Sequence, residues 1–423
     1  MPRSVFLLSG GFNATMPLQR DDCEFGLRLW KMGVQFQYEV GAIAYEFFVK
    51  SSRDFVQHDA VQCGKGEVRL CREHPEYRRY STLATLGGGA SVTRTLRRIA
   101  LGPLPFEQSL VLPVSMCEQF QWISVVRSAG IRLLGFQRRL TFLRSASREA
   151  GSYTALQRAY GLRLPVLLYH NIAPEGTATT APSLTLSPQQ FDKQMRWLAR
   201  RGYHAILPSQ WLEWCRTGRG LPKKPVLLTF DDAYASLVPH ALPVLAKLGF
   251  GAAVFVVTRQ IGGTNEWEKR SGRLGTDLLM SASQIKEAAR QGIEFGAHSR
   301  THRDLTTLSD QELAEEVEGS ALDLKALLGR RVISFAYPYG PYNEKVAERV
   351  RLSFDLAFTC DEGPNFLHTD PFVLRRSNVS PGDLLIDFAF RVWFGWIPMT
   401  AIRSRLRLRS RFKRSALPVE GRQ

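Results

Sequence analysis

The sequence of 423 residues lacks closely spaced cysteine pairs and long apolar runs. Its six cysteines include no Cys-x-x-Cys pair, which argues against a disulfide framework and favours a reducing compartment. No apolar run approaches the roughly 20 residues that a helix needs to cross a bilayer. The apolar run near the N-terminus is too short for the core of a secretory signal. We therefore expect a cytoplasmic protein, with or without peripheral association with a membrane.

Acidic residues are scarce mainly in two segments of the chain. Residues 91–150 hold nine basic and three acidic residues, and residues 401–423 hold eight and one. These segments contribute most of the formal net charge of +17. Because the rest of the protein is close to neutral, no nucleic-acid groove is expected in the folded parts. The two basic segments instead suit peripheral contact with an anionic membrane surface.

The length of the sequence predicts more than one folded unit, since a single hydrophobic core stops growing at roughly 250–300 residues. The changes of pattern along the chain indicate where these units and their connections lie. Residues 1–81 are typical of a compact α/β piece, and residues 82–160 of a basic linker and helical region. Residues 161–380 predict a further domain, and residues 381–423 a basic tail. Apolar residues within Phe106–Phe136 predict helices that pack on a neighbour or lie on a membrane surface. Packing is the interpretation we favour.

From Leu164 onward, short apolar runs alternate with amphipathic helical patterns, which is typical of βα units around a parallel sheet. Helix starts are indicated by Ser187 before Pro188, and by two capping boxes that begin at Ser281 and Ser309. Some seven strands predict an α/β fold with an incomplete (β/α) barrel. The predicted strands are Leu164–Tyr169, Val226–Phe230, Ala252–Val257, Ile293–Ala297, Val332–Ala336, Asp355–Thr359 and Phe372–Leu374.

Two adjacent carboxylates, Asp231 and Asp232, directly follow the strand predicted at Val226–Phe230. One Asp would suffice to cap a following helix, whereas a second one beside it adds repulsion that a metal ion or another cation offsets. Helix capping and a functional site therefore both explain the pair, and the pair alone does not decide between them.

His298 and His302 follow the strand predicted at Ile293–Ala297, and they would share one face if the segment is helical. Together with one Asp they would form a two-histidine, one-carboxylate site with open positions. Such a set suits either zinc-type hydrolysis or the oxygen chemistry of non-haem iron. The number of ligands does not distinguish these two kinds of chemistry.

Two further motifs lie at the ends of predicted strands. The turn Tyr337-Pro338-Tyr339-Gly340 can present a backbone N–H, although an ordinary Pro-Gly turn explains it as well. His170 ends the first strand, where a histidine of the core or rim is the simpler interpretation. All the candidate residues nevertheless follow predicted parallel strands, at the end where barrel enzymes build their active sites.

The Thr-Phe-Asp-Asp, His-Ser-Arg-Thr-His and Pro-Tyr-Gly motifs, in this order and spacing, resemble the polysaccharide deacetylases of the NodB-homology family. The resemblance covers about half of the chain. It implies a hydrolase that deacetylates an N-acetylated glycan, or a lipid-linked precursor of one. It further implies that Asp231 is the catalytic base and that Asp232, His298 and His302 hold a divalent metal ion, most often zinc in such enzymes.

The sequence departs from the usual family pattern in two places. Ala336 stands where the third motif usually begins with an Arg, and the usual C-terminal Leu-x-His is absent. Both features resemble the branch that deacetylates poly-N-acetylglucosamine, which takes its acid from a Tyr-His near the start of the domain. The resemblance therefore implies His170 as the general acid. It also implies that Tyr337, Pro338 and Tyr339 contact the substrate, with the backbone N–H of Tyr339 in the oxyanion hole.

The N-terminal piece resembles a different family. Gly10-Gly11-Phe12-Asn13, followed by Asp21-Asp22-Cys23-Glu24, is similar to the second half of an inverting, family-two glycosyltransferase. The resemblance implies Asp22 as the base that deprotonates an acceptor hydroxyl. The nucleotide-binding half with its Asp-x-Asp site would lie upstream of Met1, so we expect a remnant without transfer activity.

Three hypotheses of function remain open at this point. The first is a deacetylase of N-acetylglucosamine-type glycan in a cell-envelope or capsule pathway. The second is a non-catalytic glycan-binding or scaffolding module that has lost activity through Ala336. The third is the remnant of a bifunctional glycosyltransferase and deacetylase. Acetate release from N-acetylated oligosaccharides separates the first hypothesis from the second.

Overall fold

The computed structural model describes residues 2–17, 19–37, 51, 54–88, 97, 99–102, 106, 108–177, 179, 181–267 and 277–397. The predicted basic segment 401–423 lies outside these residues. The chain divides into two compact units, each described separately below. Unit 1 comprises Met1–Leu162 with the short segments Cys215–Arg219 and Phe366–His368, and unit 2 comprises Arg163–Trp214, Gly220–Asn365 and Thr369–Gln423.

Unit 1 is helical in its described part. Its longer helices are α1 (Arg3–Leu8), α2 (Asp21–Lys31), α3 (Ala60–Glu73), α4 (Val111–Gln119), α5 (Ser124–Glu149) and α6 (Tyr153–Tyr160). The described residues of the predicted α/β piece form helices and turns but no strand, and residues 38–50 lie outside the description. Among the described residues of the whole chain, no helix is both long and apolar enough to cross a membrane.

The core of unit 1 lies where α3 packs along α5. Val68 of α3 and Leu140 and Leu143 of α5 are buried there. Gly64 permits the close approach of the two helices, because a Cβ atom at this position would collide with the carbonyl oxygen of Phe142. The helical part of the predicted region 82–160 therefore contributes to the core of unit 1.

Unit 2 is built on a curled parallel sheet. Its strands are β1 (Val166–Tyr169), β2 (Asn171–Ile172), β3 (Thr185–Leu186), β4 (His204–Ile206), β5 (Pro225–Phe230), β6 (Ala252–Val256), β7 (Ile293–Ala297), β8 (Ser334–Ala336), β9 (Leu356–Phe358) and β10 (Ser377–Asn378). Seven strands follow the order β10-β1-β5-β6-β7-β8-β9, β4 pairs with β5 beside them, and β2 pairs with β3 separately. All these pairings are parallel. The predicted incomplete barrel is confirmed.

Helices connect the strands of unit 2. They are α7 (Pro188–Arg200), α8 (Pro208–Thr217, which ends in a segment grouped with unit 1), α9 (Leu237–His240), α10 (Leu242–Leu248), α11 (Ala282–Arg290), α12 (Asp310–Leu328), α13 (Glu344–Ser353) and α14 (Leu385–Phe394). The Ser187 hydroxyl caps α7, and capping boxes begin α11 and α12. These three helix starts were predicted from side chains that satisfy the free N–H groups of a first turn, and they are confirmed.

The segment that closes the sheet differs from its prediction. Ile293–Ala297 matches β7 residue for residue, but Phe372–Leu374 is not a strand. Instead, Leu374 forms a single bridge to Phe358 of β9, and β10 pairs with β1 three residues further on. The short segment 374–378 thus hydrogen-bonds to both edges of the sheet. Only one or two of its residues pair with each edge, so the apolar run at Phe372–Leu374 does not form a strand of its own.

The fold of unit 2 continues past the predicted boundary at residue 380. Phe388 and Val392 of α14 are buried in the same hydrophobic core as the sheet. Burial of an apolar side chain of this size stabilises a fold by about 1.5–3 kcal/mol. The helix α14 is therefore a structural part of the unit rather than part of a tail.

Candidate active site

The carboxyl ends of four strands in unit 2 carry the predicted site residues. His170 follows β1, Asp231 and Asp232 follow β5, His298 follows β7, and Tyr339 lies in the turn after β8. Because parallel strands end at the same edge of a sheet, these residues meet although they are far apart in the sequence. The structure therefore brings together the predicted residues of unit 2 at one end of the barrel.

Asp232, His298 and His302 form a buried cluster in which one ligand atom from each residue lies within 4.8 Å of the others. The Oδ1 atom of Asp232 is 3.4 Å from Nε2 of His302 and 3.7 Å from Nε2 of His298. Two imidazole nitrogens and one carboxylate oxygen form the donor set of many catalytic zinc sites, and they also suit other divalent first-row metals. The cluster can hold a divalent metal ion.

The imidazole of His298 is oriented by the backbone of β8. Its Nδ1 atom lies 2.7 Å from the carbonyl oxygen of Ala336. Since a carbonyl only accepts hydrogen bonds, Nδ1 carries the proton and donates it, which leaves the lone pair of Nε2 directed towards Asp232. A histidine that binds a metal ion through Nε2 requires this tautomer, with the proton on Nδ1.

The imidazole of His302 is held between two aromatic rings. Trp267 stacks on it with ring centroids 4.6 Å apart, and Tyr339 contacts it edge to face at 4.5 Å. Its Nδ1 atom is buried and has no hydrogen-bond partner in the described part of the chain. Aromatic packing, rather than a hydrogen bond to the second nitrogen, therefore fixes the orientation of His302. Trp267 was not among the residues predicted from the sequence.

The two histidines meet through a tight turn, so the helical arrangement considered for this motif is wrong. Residues 298–302 form a loop, in which Ser299 and His302 have φ angles of 60° and 59°. The Ser299 hydroxyl accepts a hydrogen bond from the backbone N–H of His302 at 3.0 Å. The ring centroids of His298 and His302 nevertheless lie 4.8 Å apart, because the turn reverses the chain.

Left-handed backbone conformations are concentrated at this site. In the described part of the chain, six non-glycine residues have a positive φ, and five of them lie here. Each such conformation costs about 1–3 kcal/mol and persists only where the surrounding structure enforces it, most often at functional sites. The five residues are Asp232, Ala233, Ser299, His302 and Tyr339.

Arg376 is a residue of this site that sequence reasoning missed. It lies in the closing segment between β9 and β10, and its side chain is fully buried. Its Nη1 and Nη2 atoms donate to the two oxygens of Asp231 at 2.6 and 2.8 Å, and its Nε donates to the carbonyl oxygen of Thr359 at 2.8 Å. Arg376 thus provides a cation beside Asp231, whereas Ala336 cannot. The available signal was the Arg375-Arg376 pair that follows an apolar run.

The pKa values of the buried site residues follow from burial and from their charged neighbours. Burial alone would raise the pKa of Asp231, but the charge and hydrogen bonds of Arg376, together with the nearby His298 and His170, outweigh this effect and bring the pKa to about 2. Burial lowers the pKa of His170 to about 4, although Asp231 opposes the shift. Burial also lowers the pKa of His298 and that of His302. At neutral pH the site therefore contains an ionised Asp231 and neutral imidazoles, and the neutral imidazole is the form in which His298 and His302 can bind a metal ion.

Only Tyr339 of the predicted substrate-contacting turn is exposed. Its side chain is 55% accessible, whereas Tyr337 and Pro338 are buried. The Tyr337 hydroxyl donates to the carbonyl oxygen of Phe372 at 3.0 Å, and its ring stacks on Tyr342. The buried side chain of Tyr337 therefore supports the turn from inside, and contact of this turn with the substrate stays a prediction.

Asp22 belongs to unit 1, whereas the other predicted site residues belong to unit 2. It lies exposed in the first turn of α2, where its Oδ1 accepts a hydrogen bond from the backbone N–H of Cys23 at 2.7 Å. The neighbouring Glu24 is buried and forms an ion pair with Arg28. The glycosyltransferase-like role of Asp22 stays a prediction.

Comparison with known proteins connects this site to one family. Residues 218–353 match the family model for polysaccharide deacetylases. YxkH of Bacillus subtilis (strain 168), named provisionally as a polysaccharide deacetylase, is 28% identical over 223 residues, which are 52% of this chain and 72% of that protein. The poly-beta-1,6-N-acetyl-D-glucosamine N-deacetylase of Staphylococcus epidermidis is 27% identical over 209 residues, which are 46% of this chain and 68% of that enzyme.

Among solved structures, the Streptococcus pyogenes deacetylase PplD superposes on this chain with a TM-score of 0.47 and 27% identity, covering 54% of this chain and 97% of PplD. The matched family segment contains Asp231, Asp232, His298, His302 and the turn at Tyr339. The chain therefore contains a polysaccharide deacetylase domain of the NodB-homology type, and poly-N-acetylglucosamine deacetylases are among its relatives.

Proposed function

We propose that this protein hydrolyses the N-acetyl group of an N-acetylglucosamine-type polysaccharide, using a divalent metal ion held by Asp232, His298 and His302. The observation that carries the proposal is the ionised Asp231, fixed by Arg376 directly beside that donor set. The substrate class is supported by relatives whose names describe poly-beta-1,6-N-acetyl-D-glucosamine deacetylation. Zinc is the metal we propose, because two His and one Asp leave an open position, as catalytic zinc sites do.

In the proposed reaction a water molecule attacks the acetyl carbonyl, the carbon–nitrogen bond breaks, and acetate and a free amine are formed. A bound metal ion would supply Lewis-acid polarisation and a water of lowered pKa. Asp231 accepts the proton from the attacking water. Its pKa, lowered to about 2, keeps it ionised at neutral pH, and Arg376 donates a hydrogen bond to each of its oxygens.

Two further groups complete the proposed mechanism. The backbone N–H of Tyr339 donates a hydrogen bond to the developing oxyanion, because the left-handed turn at φ 61° presents this part of the backbone at the end of β8. His170 donates the proton that the leaving amine requires. Since its pKa of about 4 makes it neutral at neutral pH, His170 first takes up the proton that Asp231 accepted from the attacking water, and then passes it to the nitrogen as the carbon–nitrogen bond breaks.

We also propose a substrate and a cellular location for this reaction. The substrate is a cell-envelope glycan or its lipid-linked precursor, and the protein works in the cytoplasm, in peripheral contact with an anionic membrane surface. The basic segments identified in the sequence support this contact. Of these, residues 91–150 are described in part, and residues 401–423 lie outside the described residues.

The competing hypothesis is a glycan-binding or scaffolding module without catalytic activity. It is motivated by Ala336, which stands where the family usually has an Arg. Arg376 supplies, from a different part of the chain, the cation whose absence at position 336 suggested that loss. A buried arginine paired with a buried carboxylate is costly to desolvate. Its presence beside the donor set therefore favours a catalytic site over an inactive remnant.

The proposal is tested by acetate release from the purified full-length chain. The substrates are β-1,6-linked and β-1,4-linked N-acetylglucosamine oligomers, with an O-acetylated sugar as the control for ester hydrolysis. We expect release from an N-acetylated oligomer, loss of release after removal of metal by a chelator, and recovery with zinc. Absence of release from every N-acetylated oligomer in the presence of zinc would contradict the proposal.

A further inference from the structure

The hairpin of α4 and α5 in unit 1 exposes large apolar side chains that no described residue covers. Trp122 in the connection is 78% exposed, Val125 at the start of α5 is 75% exposed, and Leu112 of α4 is 75% exposed. Met116 lies one turn after Leu112 on the same side of α4, and Phe120 follows directly after the end of this helix; Met116 is 60% and Phe120 47% exposed. These five residues are called the hairpin tip below.

The hairpin tip is a structural feature of fixed geometry rather than a frayed end. Helices α4 and α5 cross closely, because a Cβ atom at Gly130 would lie 2.7 Å from Cβ of Cys117. Val114 faces the opposite side of α4 and is buried. The C-terminal half of α5 is anchored in the core of unit 1 through Leu140 and Leu143. The hairpin therefore presents its apolar side chains from a fixed base.

The charges that flank the hairpin tip are mostly positive. Described residues 108–139 contain four arginines, namely Arg127, Arg132, Arg138 and Arg139, and a single carboxylate, Glu118. Arg127 and Arg132 lie exposed on the outer half of α5, near the tip. An exposed apolar patch next to basic side chains is the pattern with which proteins bind the interface of an anionic bilayer.

We propose that the hairpin tip inserts into the headgroup region of an anionic lipid bilayer and docks unit 1 on the membrane. Trp and Phe side chains are well suited to this depth because they combine an apolar body with a polarisable ring. The proposal assigns specific residues to the membrane contact proposed above, and it does not depend on the deacetylase chemistry of unit 2.

A second copy of this chain is the other occupant that an apolar patch could have. Two copies that met through their hairpin tips would bring Arg127 and Arg132 of one copy towards the same arginines of the other, with one carboxylate per copy to compensate. Anionic phospholipid headgroups instead complement this charge at every point of contact. Charge complementarity therefore favours the lipid surface.

Sedimentation with vesicles tests the inference on the full-length protein. The vesicles contain phosphatidylglycerol and phosphatidylcholine in equal amounts, and pure phosphatidylcholine vesicles provide the comparison. The tip variant combines Met116→Gln, Trp122→Gln and Val125→Gln. The charge variant combines Arg127→Gln and Arg132→Gln. The control variant combines Leu322→Gln and Leu352→Gln, which removes exposed apolar side chains from unit 2.

We expect the wild type and the control variant to bind the anionic vesicles equally, and the tip variant and the charge variant each to bind about tenfold more weakly. Acetate release from a soluble oligomer should be the same in all four proteins, so a failure of the deacetylase proposal would be seen separately. Equal binding of the tip variant and the wild type would overturn the inference. So would a dimer in light scattering that the tip variant dissolves, because the surface would then bind a second copy.

Discussion

Arg376 donates two parallel hydrogen bonds to Asp231, from Nη1 to Oδ1 at 2.6 Å and from Nη2 to Oδ2 at 2.8 Å. The two residues are 145 positions apart in the sequence, and both are buried. The pairing depends on the closing segment 374–378, which hydrogen-bonds to β9 and to β1. The same short segment therefore links the two edges of the sheet and keeps the proposed base ionised.

Replacement of Arg376 by Met should raise the pKa of Asp231, because burial then acts without an opposing cation. In the wild type this pKa is lowered to about 2, so the pair stabilises the fold above the ordinary pKa of the carboxyl, and the contribution is lost as the pH falls through about 2. In the variant the base becomes protonated at a higher pH. The acid limb of the profile of kcat/KM against pH should therefore move upward, which a pH series of acetate release measures.

Arg375 provides the control for this experiment, since it is the exposed neighbour of Arg376. Arg375→Met should leave the pH profile unchanged. Breaking a buried ion pair costs about 3–5 kcal/mol, so thermal unfolding of the Arg376→Met variant is measured alongside. Arg376→Lys keeps the charge but loses the two-pronged geometry, and it should shift the acid limb less. An unchanged acid limb in both Arg376 variants would mean that Arg376 has only a structural role.

Removal of the Trp267 ring should weaken metal binding, because the indole stacks on His302 and its contacts replace a hydrogen bond to Nδ1. Trp267→Ala should lower zinc affinity by about 10–100-fold, the usual effect of groups that orient a ligand, and Trp267→Phe should lower it less. Calorimetric titration of the metal-free protein with zinc measures the change. Trp393→Ala serves as the control for loss of an indole elsewhere in unit 2. Equal zinc affinity of Trp267→Ala and wild type would show that the ring does not position His302.

The role of His170 as general acid is tested by comparing the hydrolysis of amides with the hydrolysis of esters. His170→Asn should leave metal content and fold intact while lowering turnover of sugar amides by about 10²–10⁴-fold, the usual contribution of a positioned acid. An activated ester has a leaving group that needs no proton, so its hydrolysis should fall much less. If both substrates lose activity equally, or if neither does, His170 is not the general acid.

The sequence predicted the parts of the fold and site that depend on local pattern. Strand β7 and the capping boxes at Ser281 and Ser309 are encoded by neighbouring residues, and the structure contains them. The partnership of Arg376 with Asp231 was not predictable in this way, because it arises only when β10 pairs with β1. The turn between His298 and His302 was also missed, since its positive φ angles occur at residues other than glycine.

Which side chains of a motif are buried and which are exposed could not be predicted from the motif alone. Tyr337 and Tyr339 are two positions apart in one turn, yet the first is buried and the second exposed. The pattern of the turn gives no sign of this difference, which follows from packing against Phe372 and Tyr342. Likewise, the stacking of Trp267 on His302 depends on a loop whose sequence has no regular period.

The central claim is that the adjacent carboxylates have different roles, Asp231 as the base and Asp232 as a metal ligand. Metal content measured together with acetate release tests this claim most directly. Asp231→Asn keeps the shape of the proposed base but removes its charge, and Asp232→Asn does the same at the proposed metal ligand. The account predicts that Asp231→Asn retains zinc and loses acetate release, whereas Asp232→Asn loses both. Zinc loss in Asp231→Asn with full zinc in Asp232→Asn, or normal acetate release from Asp231→Asn, would contradict it.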